Sequence, residues 1–339
     1  MLLNESTPEI LIAGIDVGGT KTLLILSDLT GKVLSKRKIA TSPDADPDVF
    51  FQRLIGEIEA MAKETGQGSE AIAGMGFGFP GVVDEETGVL TNAPAFPWVR
   101  ANVKESIRKF FKGPLYLDND VNVAAMGEKW RGAAAGAQHF LMVTVGTGIG
   151  GALVLNDELY KGSAHSAGEL GYFVIEAPAP ESAATQAKPE IRFGHFEQTA
   201  SGTAIGQRAR QFFTARERKS PILDLVQGDI SRIDAKHVLQ AAAQGDEVAW
   251  SILEEPVTHM AIGIANAISI LNPALVVIGG GVAEAGNVYL DAVRSKVRGF
   301  TPIEATIVPA KLGNEAGAIG AVAGAVKRLK TSILGRNQG

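Results

Sequence analysis

No cysteine occurs among the 339 residues. Without thiols there is no disulfide and no thiolate zinc centre, so burial and hydrogen bonding must hold the fold. The chain also lacks an uninterrupted apolar run of about 18 residues, the length a membrane-crossing helix needs. Its opening stretch MLLNESTPEI has no basic segment and carries Glu5 and Glu9, so it reads poorly as a signal peptide. Basic excess is missing as well. Thirty-two Lys and Arg face 37 Asp and Glu, a net charge of −5, which argues against a general nucleic-acid footprint and leaves only a local basic patch as a route to one. The expectation from these absences is a cytoplasmic protein with neither nucleic acid nor membrane as partner.

What is present is ordinary globular material: 45% hydrophobic, 20% charged, and long enough for two domains or one large subdivided core. The 40 glycines fall mostly in short clusters between apolar runs, the pattern of tight turns beside a ligand. Leu11–Asp16 reads as a strand, and KTLLILSDLTGKVLSKRKIA as two more joined at Thr30-Gly31, giving a three-strand meander. Helical spacing runs over Asp48–Gly66, a glycine-rich strand over Ile72–Phe79, a helix over Val103–Phe111, and a strand over Pro114–Leu117 that enters a helix opened by Asp and Asn. The grammar then repeats. HFLMVTVGTGIGGALVLNDELYKG echoes ILIAGIDVGGTKTLLILSDLTGK, an internal repeat of roughly 130 residues that implies two similar α/β halves facing each other. Glu197–Arg218 and Ala235–Leu271 read as mostly helical, Ile303–Val308 as a last strand, and Glu315–Leu329 as a last helix. The GxGxxG spacing of a dinucleotide site is absent.

Four stretches carry candidate chemistry. In IDVGGTKT, Gly18 and Gly19 let backbone approach a polyanion, Thr20 and Lys21 can donate to it, and Asp16 can hold a hydrated Mg²⁺; a Gly-Gly-Thr hairpin is otherwise just a turn. VTVGTGIGGALV, with Thr147 and Gly148, has the same form, and two such hairpins are sharper than one. In IGGGVAEAG, Gly279, Gly280 and Gly281 allow a flat group such as a nucleobase to lie on backbone, or make a tight strand-to-helix turn. In LDNDVNVAAMGE, Asp120 could take a proton from a hydroxyl and Asn119 hold its neighbour, or both could cap the helix.

Together with GFGFPGVVD, GELGY and FEQTASGTAI, these motifs stand in the order found in ROK-family sugar kinases, and the chain resembles that family from Ile10 to about Lys330. The resemblance implies an α/β fold of two ribonuclease-H-like domains of the actin-like ATPase superfamily around a central cleft. The expected division is 1–118, with the helix at about 315–330 packing back on it, and 119–314. It implies ATP-dependent phosphorylation of a hexose, with glucose to glucose 6-phosphate as the leading reaction, ATP and Mg²⁺ as cofactors, and a homodimer. Another hexose (fructose, mannose or N-acetylhexosamine), polyphosphate as donor, and a non-catalytic sugar-sensing regulator are the alternatives. By the same resemblance Asp120 is the base. Gly81, Asn92, Asn119, Glu169, Tyr172 and Glu197 bind sugar. Asp16, Gly18, Gly19, Thr20, Lys21, Thr147, Gly148 and Gly279–Gly281 hold the nucleotide, with Asp16 reaching Mg²⁺ through water.

One departure stands out. Many family members have His where this chain has Tyr172, and three cysteines where it has Lys188, Glu190 and His195; those groups bind a structural zinc. Lysine is no ligand at neutral pH and the remainder cannot close a tetrahedral site, so no zinc is expected. Packing of Phe193 and Phe196 with Tyr172 is expected to hold the loop instead, with His195 an ordinary loop histidine.

Overall fold

A computed structural model describes residues 10–42, 46–91, 93, 95–98, 100–176 and 194–336. The chain forms two compact units. One comprises Met1–Gly136, Lys161–Ser166 and Asn314–Gly339; the other comprises Ala137–Tyr160 and Ala167–Gly313. The first unit thus runs to Gly136, past the division expected at 118. The physical reason is that the helix opened by Asp120 packs on the last helix of the chain through backbone contacts, described below, and so shares its core.

In the first unit, β1 (Leu11–Val17), β2 (Lys21–Ser27) and β3 (Val33–Ala40) form the expected antiparallel meander. Helix α1 (Pro47–Glu64) starts at Asp46, whose side chain accepts from the Asp48 N–H at 2.9 Å, with Pro47 in the first turn. Strand β4 (Ile72–Phe79) runs parallel to β1. A small antiparallel sheet, β5 (Val82–Val83), β6 (Val89–Thr91) and β7 (Arg100–Asn102), was not read from the sequence; its strands are too short to show an alternation. Helix α2 (Val103–Phe110) leads to β8 (Leu115–Asn119) and α3 (Asp120–Arg131). The main sheet has the order β3-β2-β1-β4-β8, so β1, β4 and β8 are three adjacent parallel strands.

The second unit repeats that order. Strands β9 (Phe140–Val145), β10 (Ile149–Leu155) and β11 (Glu158–Tyr160) form a meander. The segment read as mostly helical from Glu197 is α4 (His195–Ala200) and α5 (Gly202–Ala215), separated at extended Ser201, whose hydroxyl caps the Ala204 N–H at 3.2 Å. Then come α6 (Pro221–Leu225), α7 (Ala235–Ala243) and α8 (Glu247–Leu271), the last two separated by a turn at Gly245 and restarted by the Asp246 cap. Strand β12 (Leu275–Gly279), α9 (Asn287–Phe300) and β13 (Thr306–Pro309) complete a sheet of order β11-β10-β9-β12-β13, parallel from β9 onward. The final helix, α10 (Ala316–Arg336), returns to the first unit.

Strand β4 explains how that first unit is layered. Its sequence IAGMGFGF alternates glycine with large apolar residues, so one face is nearly bare backbone and the other is Met75, Phe77 and Phe79. The large face packs with Phe50 and Phe51 of α1 and Trp98, all buried: the Phe51 ring lies 6.1 Å from Phe77 and 6.0 Å from Phe79 and from Trp98, and the Phe50 ring 5.4 Å from Trp98. Each such buried ring contributes roughly 1.5–3 kcal/mol. The bare face takes helices. A methyl group on Gly76 would overlap the Ala321 carbonyl of α10, one on Gly78 would overlap Val123 of α3, and one on Gly14 of β1 would overlap the Ala318 carbonyl. Helix α10 meets α3 in the same way, at Gly127 and Gly320.

Gly76→Ala therefore destabilises the protein by about 1–3 kcal/mol, the usual cost of overpacking against backbone that cannot retreat. Gly56→Ala, on the open face of α1 with nothing near its added methyl, stabilises by about 0.5–1 kcal/mol. Urea melts of the two variants check the contrast; equal effects would contradict the packing.

Candidate active site

The parallel strands β1, β4 and β8 end side by side, and their C-terminal edge carries the acidic candidates. Asp16 near the end of β1 is in register with Gly78 of β4, and Asn119 at the end of β8 is in register with Phe79. Through Gly78, Asp16 is in register with Asp118 of β8, two strand spacings or roughly 10 Å away, and Asp120 follows Asp118 by two residues at the start of α3. This edge is where open α/β sheets bind ligands.

Asn119 is the N-cap of α3. Its Oδ1 accepts from the N–H groups of Val121 (2.8 Å) and Asn122 (3.2 Å), and its Nδ2 donates to the Gly81 carbonyl at 3.0 Å. Capping and ligand binding, alternatives in the sequence, are compatible in part: the amide retains one N–H beyond these bonds. Gly81 sits at φ 125°, a conformation that favours glycine, and so brings its carbonyl to Asn119. Asp120 is the first residue of α3, its Oδ1 accepting from the Val121 N–H at 2.9 Å. Asn92 lies outside the described residues.

Asp16, Thr20 and Lys21 line a cavity of about 600 Å³ with Leu23, Lys36, Lys38, Asn314 and Glu315. Gly18 closes the turn, its N–H donating to the Lys21 carbonyl at 3.1 Å, and a Cβ there would come within 2.6 Å of that oxygen. The exposed Gly19 and Thr20 cap the same hairpin. Lys36 and Lys38 were not singled out from the sequence. Their i, i+2 spacing on β3 places both on one face, which was the available signal. Asp16 rests against Gly317 in the first turn of α10, where a Cβ would lie 2.6 Å from its carboxyl carbon. Burial pushes its pKa up to about 6, and nearby Lys38 offsets only part of that.

In the second unit the structure gathers the remaining candidates. Glu197 Oε2 accepts from the Ile149 N–H at 2.8 Å, and its carboxylate fills the space beside Gly148. The Thr147 carbonyl accepts from the Thr203 hydroxyl at 2.7 Å, and the Gly146 carbonyl from the Gly202 N–H at 2.8 Å. Gly280, at φ 87°, packs on Val145, where a Cβ would be 2.5 Å from the carbonyl oxygen; Gly279 and Gly281 flank it. Glu169 and Glu197 are close enough to sense each other. Desolvation raises both pKa values, and the Glu197 charge adds to the rise at Glu169. The Tyr172 pKa is raised by desolvation, with the charges of Glu169 and then Glu197 adding to the rise.

Tyr172 does not pack in the loop as expected. It is 55% exposed, and its neighbour Phe173 makes the contact instead, its ring 6.4 Å from buried Phe196 and nearly parallel to it. The 3-10 turn Leu170–Tyr172 directs the side chain outward. His195 is more than a loop residue: its Nδ1 accepts from the Ile175 N–H at 3.2 Å. Phe193, Lys188 and Glu190 lie outside the described residues, and among the described residues no cluster of three His, Asp or Glu could hold a metal ion. No helix among them is long and apolar enough to cross a membrane.

Residues 12–328 match the ROK family model, and the chain belongs to that family. It is 33% identical over 292 residues to a glucokinase of Thermotoga maritima, covering 86% of this chain and 88% of that protein. It is 30% identical over 313 residues to a glucokinase of Halalkalibacterium halodurans, covering 91% and 92%. A putative xylose repressor of a Caldicellulosiruptor species is 29% identical over 84% of this chain and 69% of its own length. Among solved structures, the ROK family glucokinase of Streptomyces griseus in complex with glucose and AMPPNP superposes with a TM-score of 0.74 at 30% identity, covering 94% of this chain and 99% of that one. The fold is accordingly that of the ROK and actin-like ATPase kinases, two sheet-plus-helix domains of repeated topology.

Because the folded pKa of Asp16 lies above that of an unfolded aspartate, the native state binds this proton more tightly. The group therefore favours folding below about pH 4, and that contribution is lost as pH rises through about 6. Asp16→Asn is expected to be more stable than the wild type by on the order of 2 kcal/mol at pH 8, with the gap closing toward pH 4. Denaturant melts across that range test this; a variant no more stable than the wild type at pH 8 contradicts the burial of the charge.

Proposed function

We propose that the protein is an ATP-dependent hexose kinase, with glucose as the leading substrate and glucose 6-phosphate as product. The observation that carries the reading is Asp120 at the C-terminal edge of three parallel strands, two strands from the Asp16 cavity with its glycine turn and lysines. A kinase needs a base and a phosphate cradle on one rigid edge, and the first unit offers a candidate for each. Supporting the reading in the second unit are Glu169, Tyr172 and Glu197, electrostatically coupled groups of which Glu197 also accepts from the Ile149 N–H.

In the reaction, Asp120 accepts the proton of the sugar hydroxyl as its oxygen bonds to the γ-phosphorus and the bond to the ADP oxygen breaks. Asn119 holds a neighbouring hydroxyl with its remaining amide N–H. Glu169 and Glu197 accept from further hydroxyls, charge-assisted bonds of about 1.5–3 kcal/mol each. Gly18 closes the turn, the N–H groups of Gly19 and Thr20 and the side chains of Thr20 and Lys21 position the phosphates, Thr147 and Gly148 do so as well, and Gly279–Gly281 accommodate the adenosine. Asp16 fits a hydrated Mg²⁺: it is a hard oxygen donor whose ionised form is disfavoured by burial, so a dication would relieve that cost. When bound, Mg²⁺ neutralises charge on the phosphate oxygens.

Three lysines in the Asp16 cavity, Lys21, Lys36 and Lys38, support polyphosphate as a second donor, since a longer polyanion needs more cations than a triphosphate. Lys36 is partly committed to Glu315 at 2.7 Å, which keeps ATP as the first reading. A steady-state screen of glucose, mannose, fructose and N-acetylhexosamines with each donor is expected to give the highest kcat/KM for glucose with ATP. Sugar binding without turnover of any hexose would instead indicate a sensing regulator.

A further inference from the structure

Asp118, the residue before the Asn119–Asp120 pair, is 2% exposed and ionised groups that deep require partners. Both of its oxygens are fully engaged. Oδ1 accepts from the Asn119 N–H at 2.9 Å and the Asn122 Nδ2 at 2.8 Å. Oδ2 accepts from the Tyr116 hydroxyl at 2.7 Å and meets Lys161 Nζ at 2.7 Å. The Oδ1 side thus grips the corner where β8 turns into α3, while the Oδ2 side is tied to a cation from a distant part of the chain.

That cation is itself held in place. Lys161 follows β11, in a segment of six residues that belongs to the first unit although the residues before and after it belong to the second. Its ammonium also reaches Glu85 Oε2 at 3.1 Å, and Glu85 is held from its other oxygen by Arg328 Nε at 2.9 Å. The Tyr116 ring lies 5.8 Å from the ammonium. Burial alone would push the Lys161 pKa down; Asp118 and then Glu85 outweigh it and hold the ammonium charged.

We propose that Lys161 and Asp118 form a positioning pair for Asp120: the lysine holds the buried carboxylate, and the carboxylate fixes the Asn119–Asn122 corner that aims the base. Neither residue touches the reacting atoms. A buried carboxylate deprived of its cation would shift toward water, which would loosen its hold on the Asn119 N–H and the Asn122 amide. The proposal rests on the reading of Asp120 as the base.

The test uses the full chain with Lys161→Met and Lys161→Arg, followed by kinetics, thermal unfolding and hydrogen exchange. Lys161→Met is expected to lower kcat roughly ten- to hundredfold, the penalty of a small misplacement of a catalytic group, with the KM for ATP unchanged within about twofold. Lys161→Arg restores kcat to within about threefold. Exchange at the amides of residues 119–122 rises roughly tenfold in the Met variant while the other sheet amides are unmoved. If Lys161→Met fails to fold, Tyr116→Phe, which removes one donor from Asp118 and keeps the lysine, is expected to give a smaller loss of kcat with the same local exchange. A kcat within about twofold of wild type would overturn the proposal. So would a loss that tracks global stability and is not rescued by arginine. Absence of wild-type turnover on every hexose would overturn the kinase reading instead, and unchanged exchange at 119–122 would then overturn the positioning pair on its own.

Discussion

The last helix of the chain meets the first sheet with no side chains between the backbones at Gly14 and Gly76, and meets α3 in the same way at Gly127 and Gly320. That closeness fixes the site. It brings Gly317 against Asp16 and holds α3, with Asp120 at its first residue, over the end of β4. Because the contacts are carbonyl to Cα rather than side chain to side chain, they cannot be retuned by rotamer changes; they are kept or lost. The opposite face of β4 shows the complementary solution, with phenylalanines at the alternate positions packing on α1. One eight-residue strand therefore sets both layers of the unit that carries the proposed base.

Much of this was legible in the sequence because the signals were local. The apolar, glycine-rich run Ile72–Phe79 marked a strand, and its observed bounds are those read from the sequence. Strand, Gly-Thr turn and strand occurred twice, and the two sheets share one strand order. What was missed depended on tertiary partners. Asp118 stands inside the quoted motif LDNDVNVAA, yet nothing local says that its carboxylate is buried or that its cation comes from Lys161. Lys36 and Lys38 looked like ordinary solvated strand residues until the Asp16 cavity placed them together. The helix breaks at Ser201 and Gly245 were hidden within apolar spacing that continues on both sides.

Residues 170–176 and the start of α4 are held by several weak contacts. Phe173 packs on Phe196, His195 accepts from the Ile175 backbone, and His259, buried in α8, meets Glu176 at 2.7 Å. Each is worth little alone, but together they tie the segment that follows Glu169 to α4 and α8. Tyr172 is thereby left free of a packing role, exposed and electrostatically coupled to two carboxylates.

The central claim is that Asp120 is a base and not a cap that happens to sit near a cavity. Its first-turn position would suit either role, since an acidic side chain there also favours the helix dipole. The most direct measurement pairs calorimetric sugar affinity with single-turnover kinetics on Asp120→Asn. The account predicts sugar affinity within about threefold of wild type and a chemical step slower by about two to four orders of magnitude, as expected for a lost general base. A chemical step within a factor of about three of wild type would contradict it.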